Sequence, residues 1–79
     1  MTIEYDDDQA VFRGVIGVDE AEPLLAWLQG HAAGRIDLSA CRHLHPANLQ
    51  VLMAARATIH AWPTDSGLAM WLESALRQP

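Results

Sequence analysis

The spacing of apolar residues divides the chain into strands and helices. Ile36 and Leu38 alternate with polar neighbours, which is the period-two pattern of a strand with a covered face. From Pro46 onward the apolar residues recur at helical spacing, and proline suits a first helical position because no backbone N–H is needed there. We therefore predict a short strand at 35–39, a tight polar connection, and a helix that begins at Pro46 with His45 as its N-cap.

The segments on either side extend this alternation of strands and helices. Strands at 2–5 and 10–16, joined by a turn at 6–9, predict a hairpin, and the acidic residues at 19–22 predict the start of a helix. Residues 58–62 predict a last strand, after which Thr64 or Asp65 caps a final helix. The residues expected to face inward from the first and last helices are Ala21, Leu24, Leu25, Leu28, Leu68, Trp71, Leu72, Ala75 and Leu76.

This order of elements predicts the fold class. The order is β-β-α-β-α-β-α, and strands separated by helices pair in parallel through right-handed crossovers. We expect an α/β domain with a mostly parallel four-stranded sheet and helices packed on it. Seventy-nine residues predict a single domain over 1–79, because two separate cores would each be too small to offset chain entropy.

Composition and charge narrow the environment and the partners. The chain is 51% hydrophobic and carries a net charge of −5, with seven acids and one Arg in residues 1–22. No basic stripe supplies phosphate contacts, so we do not expect nucleic-acid binding. The single Cys41 forms no internal disulfide, and no signal peptide or apolar run near 20 residues is visible, so we expect a cytoplasmic protein without membrane insertion.

The central strand and helix resemble a known family. Asp37-Leu38-Ser39 ends a strand, Cys41 and Leu44 supply apolar positions in the connection, and Leu49-Gln50-Val51-Leu52 continues the helix. This pattern resembles the STAS domain, the module of bacterial anti-sigma-factor antagonists and of the cytoplasmic tails of sulfate-transporter-type proteins. The resemblance covers nearly the whole chain and implies a STAS-like version of the fold above, with the final strand and helix trimmed.

The chain departs from the family at the family's most functional motif. His45 stands where STAS domains have Asp, Pro46 where they have the phosphorylatable Ser, and Asn48 where they have Gly. In that family a partner kinase approaches the start of this helix, and phosphorylation of the serine breaks the complex. Pro46 has no hydroxyl, so the resemblance implies no phosphosite. It implies partner contacts at His43, His45, Ala47, Asn48, Gln50 and Val51.

The same helix carries an unusually large apolar surface. Besides the expected inward residues, Ala47, Val51, Ala54 and Ala55 form a second apolar strip. A helix that is apolar nearly all round is either covered on both sides or used as a contact surface. The resemblance and this strip together predict a non-enzymatic protein–protein interaction module of bacterial signalling, with a kinase, an anti-sigma factor or a chemotaxis-type signalling protein as partner.

Two other functions stay open at this point. One is a small STAS-type accessory subunit of an ABC lipid transporter, in which the partner is the transporter ATPase. The other is a metal- or ligand-binding module that uses Cys41, His43 and His45, because alternation places these three residues on one side of an extended segment and their ligand types suit zinc.

Catalytic, cofactor and metal sites are not expected. The cysteine–histidine segment lacks the separated second ligand pair of common zinc sites, so we predict no metal there. The Asp triplet at 6–8 is typical of a solvated hairpin tip, since a Ca²⁺ loop spreads its ligands over about 12 residues. No glycine-rich phosphate loop, G-x-S-x-G or H-E-x-x-H motif is present, so we predict neither enzyme activity nor a cofactor.

Overall fold

The computed structural model describes residues 2–76, in which strands and helices follow the predicted order. The strands are β1 (Ile3–Tyr5), β2 (Gln9–Ile16), β3 (Arg35–Leu44) and β4 (Thr58–Ala61). A 3₁₀ turn (Val18–Glu20) leads directly into α1 (Ala21–Gly30), and α2 (Pro46–Ala54) and α3 (Ser66–Leu76) follow β3 and β4. Residues 1 and 77–79 of the predicted domain lie outside the described residues.

The sheet has the strand order β1-β2-β3-β4. β1 and β2 form an antiparallel hairpin in which Glu4 pairs with Val11, and its turn is closed by the Asp6 N–H, which donates to the Gln9 carbonyl at 2.8 Å. β2 pairs with β3 in parallel, and β3 pairs with β4 in parallel. The expected mostly parallel four-stranded α/β sheet is therefore confirmed.

The core lies on one face of this sheet. Buried and exposed residues alternate along β1 and β2, so the buried ones share the side on which the helices pack. The opposite face carries exposed polar side chains, among them Glu4 and Arg13, whose ion pair spans 2.7 Å. The domain is thus built of two layers. The fully buried core residues are Ala10, Phe12, Ile16, Leu24, Ile36, Leu38, Leu44, Leu52 and Leu72.

β3 is longer than its sequence pattern predicts. It continues through Leu44, so the segment expected to be a tight polar connection is strand instead. Its buried residues Leu38, Cys41 and Leu44 are spaced by three, not two. Period-two alternation therefore stops after Ser39 although the strand does not.

Two irregularities of pairing explain this spacing. Between the Val11–Asp37 pair and the Arg13–Ala40 pair, β3 advances one residue more than β2. The same happens between Gly14, paired with Cys41, and the next residue of β2, which pairs with His43. An extra residue in one strand is a β-bulge, and each bulge reverses which face the following residues occupy.

The helices bury a narrower stripe than predicted. Leu24, Leu28 and Leu72 are buried, but Leu25 is 39% exposed and Trp71 is 42% exposed, so the inward placement of these two was wrong. A single sheet covers only one side of each helix, and residues at the flank of the apolar stripe stay in contact with solvent. None of the helices within residues 2–76 has both the length and the apolar character needed to cross a membrane.

The end of α1 packs on the hairpin turn through Trp27. The indole N–H donates to the Asp6 carbonyl at 3.3 Å, and the ring stacks on His31 with 4.5 Å between centroids. Gly34 is buried against the same ring, because a Cβ at position 34 would lie 2.5 Å from the Trp27 Cη2 atom. Only glycine fits this approach without movement of Trp27.

Candidate protein-interaction site

The start of α2 is held in place by His45. This residue is extended (φ −61°, ψ 139°), and its Nδ1 atom accepts a hydrogen bond from the Ala47 N–H at 3.0 Å. Its own N–H donates to the Ile16 carbonyl at 2.9 Å. The predicted helix start at Pro46 and the predicted N-cap at His45 are both confirmed.

Asn48 ties the same turn to the connection between β2 and α1. Its side chain is fully buried, and Nδ2 donates to the Gly17 carbonyl at 2.8 Å. The other amide atom, Oδ1, is buried and has no hydrogen-bond partner among the described residues. Asn48 was predicted to contact a partner, but a buried side chain does not reach one, and its position shows a structural role.

The other predicted contact residues differ in their exposure. His43 and Gln50 are exposed, whereas His45, Ala47 and Val51 are half-buried. Val51 packs against the hydrophobic core, so the second apolar strip is only partly free. What remains accessible around the start of α2 is a small mixed surface of imidazole, amide and methyl groups.

The three residues of the metal-like segment do not share a side. Cys41 is buried, and its Sγ–H donates to the His43 carbonyl at 3.6 Å. His43 is exposed, because the second bulge reverses the facing of the strand between them. The expectation that alternation would align the three residues was wrong, and no group of three potential ligands able to hold a metal occurs within residues 2–76. Burial also raises the pKa of the Cys41 thiol.

Ser39 is engaged by the carboxylate of Asp37. Its hydroxyl donates to Asp37 Oδ1 at 2.6 Å, and its N–H donates to the same oxygen at 2.9 Å. These two hydrogen bonds lower the pKa of Asp37, with smaller contributions from His60 and Arg13. The lowered pKa makes the Asp37 carboxylate a weak proton acceptor, so Asp37 is a poor general base for the Ser39 hydroxyl.

The hairpin end contains an aromatic cluster that the sequence did not reveal. Tyr5 and Trp27 lie 5.6 Å apart at a tilted angle, and they line a shallow depression together with His31 and the Asp triplet at 6–8. Burial, and then the charge of Glu20, raises the pKa of Tyr5 to about 12. These residues come from separate elements, so no local spacing pattern predicts that they meet.

A second unpredicted feature is an apolar groove between the C-terminal halves of α1 and α2. The exposed side chain of Leu25 contributes to it, together with small residues at the end of α2. Small side chains at helix ends are common on surfaces, so the sequence gives no specific signal for it. The groove is lined by Leu25, Leu28, Gln29, His31, Ala32, Gly34, Ala54, Ala55 and Ala57.

Comparison of the chain with known proteins adds no family assignment: no family model matches it, and no significant match is found among curated proteins or solved structures. The geometry of the described residues is therefore the basis for a functional proposal.

Proposed function

We propose that this protein is a non-enzymatic protein–protein interaction module of the STAS-like type, which binds a bacterial signalling protein through the start of α2. The observation that carries the proposal is the anchored first turn of α2. The His45 N–H and the Asn48 side chain bond this turn to the consecutive residues Ile16 and Gly17 at the end of β2, and His43 and Gln50 are exposed beside it. A surface held in one conformation loses little entropy on binding.

The chemistry around this turn favours binding without a reaction. Pro46 occupies the position at which the resembled family carries its phosphorylatable serine, so binding here has no phosphoserine switch. The hydroxyl of Ser39, which lies on β3, donates a hydrogen bond to Asp37. The buried Cys41 has a raised pKa, which disfavours the thiolate that a nucleophile requires.

The proposal is tested by affinity capture from a lysate of the source organism with two matched glutamine variants. Gln50→Arg places a large charge on the proposed surface, and Gln29→Arg makes the same change on an exposed position of α1 next to the apolar groove. Urea unfolding should be unchanged in both variants, because both side chains are exposed. We expect a signalling kinase or an anti-sigma factor to be captured by the wild type and by Gln29→Arg, and to be lost with Gln50→Arg.

Other outcomes redirect or overturn the proposal. A partner that is lost with Gln29→Arg and kept with Gln50→Arg would move the interaction surface to the groove between α1 and α2. Capture of a transporter ATPase through the start of α2 would make the chain an accessory transporter subunit. A wild-type protein that captures nothing sensitive to either variant would overturn the proposed interaction surface.

A further inference from the structure

The N-cap of α2 is a titratable side chain that acts as an acceptor. A backbone N–H always donates, so the 3.0 Å contact between Ala47 N and His45 Nδ1 requires a lone pair on Nδ1. The imidazole is therefore neutral, with its proton on Nε2. Serine, asparagine and aspartate are the usual N-caps, and at neutral pH each keeps its acceptor oxygen.

Protonation of His45 abolishes this hydrogen bond. Both ring nitrogens of an imidazolium ion are donors, so Nδ1–H would point at the Ala47 N–H. The positive end of the helix dipole adds a second unfavourable term for a cation at this place. Histidine is the side chain whose charge ordinarily changes between about pH 5 and 8, a range in which serine, asparagine and aspartate caps keep their acceptor oxygen.

The surroundings of His45 supply no alternative partner for the protonated ring. Within residues 2–76 its ring makes no ion pair and no hydrogen bond with a charged side chain. Carboxylates on the packed elements would lessen the cost of a positive charge, but none restores the lost acceptor. The titratable and charged groups on the elements packed against α2, and at the end of β3, are Asp19, Glu20, Glu22, His31, Asp65, Glu73, Arg42 and His43.

We propose that His45 is a pH-sensitive N-cap, in which proton uptake by the imidazole breaks the hydrogen bond that closes the first turn of α2. With a neutral imidazole the turn is closed by the bond to Ala47, and with a protonated imidazole the turn is held only by Asn48 and the backbone. As a regulator of partner binding this device rests on the proposed function, since the same turn is the proposed contact surface. As a property of the fold it does not.

Urea unfolding between pH 8 and pH 5.5 tests the pH-sensitive N-cap on the protein alone. His45→Asn keeps a cap that does not titrate, and His43→Asn removes an exposed imidazole that caps nothing. We expect the folding equilibrium constant of the wild type to fall about fivefold relative to His45→Asn as the pH is lowered, the size of one lost cap. The His43→Asn variant should behave like the wild type. If the folding equilibrium constants of the wild type and of His45→Asn changed with pH by the same factor, the proposal would be overturned.

The tautomer of His45 provides a second, independent measurement. In ¹⁵N-labelled protein at pH 8, ring nitrogen chemical shifts should show an unprotonated Nδ1 and a protonated Nε2 for His45. A ring protonated on Nδ1 at pH 8 would contradict the proposed N-cap directly. Both measurements concern the isolated domain, so they fail or succeed independently of whether a partner is found at α2.

Discussion

The starts of α2 and α3 are built in two different ways. At α2, Asn48 donates to the carbonyl of Gly17, 31 residues away, and the His45 N–H donates to the carbonyl of Ile16 at the end of β2. At α3, Asp65 Oδ1 accepts from the Leu68 N–H at 2.8 Å, an exposed bond between residues three apart. The first arrangement links the start of α2 to the end of β2 and the residue after it, and the second closes only its own turn.

The two helix starts differ in which parts of the fold depend on them. A local cap such as Asp65 sets where a helix begins, and its loss is confined to that helix end. The start of α2 is instead part of the tertiary structure, because Asn48 bonds it to the connection between β2 and α1. That coupling is what makes α2, and not α3, the better candidate for a contact surface of fixed shape.

The largest effect is expected from Asn48→Leu. This change keeps the branched shape of the side chain, but it removes the donor to the Gly17 carbonyl and puts a bulkier group in a fully buried site, so we expect a loss of about 2–3 kcal/mol in the free energy of unfolding. Urea unfolding monitored by tryptophan fluorescence measures it. If Asn48→Leu lowered the free energy of unfolding by less than Asp65→Ala does, the long-range bond would contribute no more than a local one, and the distinction between the two helix starts would be wrong.

A smaller effect is expected from Asp65→Ala. The substitution leaves the Leu68 N–H without its side-chain acceptor, and loss of an N-cap of this kind costs about 1 kcal/mol. Asp65→Ser is the matched control, since serine also caps, and it should retain most of the wild-type stability. If Asp65→Ala also weakened binding of a partner that Gln50→Arg abolishes, the functional separation of the two helix starts would fail.

The smallest effect is expected from Ser39→Ala, which acts through the Asp37 carboxylate. The Ser39 hydrogen bonds lower the folded-state pKa of Asp37 below the ordinary value of an aspartate. A lowered carboxyl pKa contributes stability that is present above the unfolded value, near pH 4, and is lost as the pH falls through the folded value. Ser39→Ala should therefore reduce stability at pH 7, and its difference from wild type should shrink below pH 4.

The pH range of the Ser39 effect provides its check. The free energies of unfolding of Ser39→Ala and wild type are measured from pH 7 to pH 3. Between pH 7 and pH 5.5 the difference between them should stay constant. A difference between the two proteins that changes across pH 7 to 5.5 would mean that another group, and not Asp37, responds to Ser39.

Local patterns in the sequence predicted the elements and the helix starts. Pro46 and His45 marked the start of α2 because proline and an N-cap act within one turn. The hairpin and the parallel crossovers followed from element order alone. The sequence pattern did not reveal the full length of β3, because the bulges place Leu38 and Cys41 three residues apart, which breaks the period by which strands are recognised.

The candidate site was predicted less well than the fold. Asn48 looked like an exposed polar residue, and only the approach of Gly17, distant in sequence, makes its amide a buried link. Leu25 and Trp71 lie at helical spacing on apolar stripes, but spacing does not show how wide the covering layer is. Features that depend on contacts between distant segments therefore escaped prediction.

The bulges in β3 also bear on how the chain can change over evolutionary time. The extra residue of β3 falls at Leu38–Ser39 in the first bulge and at Arg42 in the second. Deletion of one residue in either bulge would restore regular pairing with β2 locally. Deletion within 35–37, where β3 pairs regularly with β2, would turn core residues outward. Relatives with a regular strand would align with this chain only through two single-residue gaps, one on each side of Cys41.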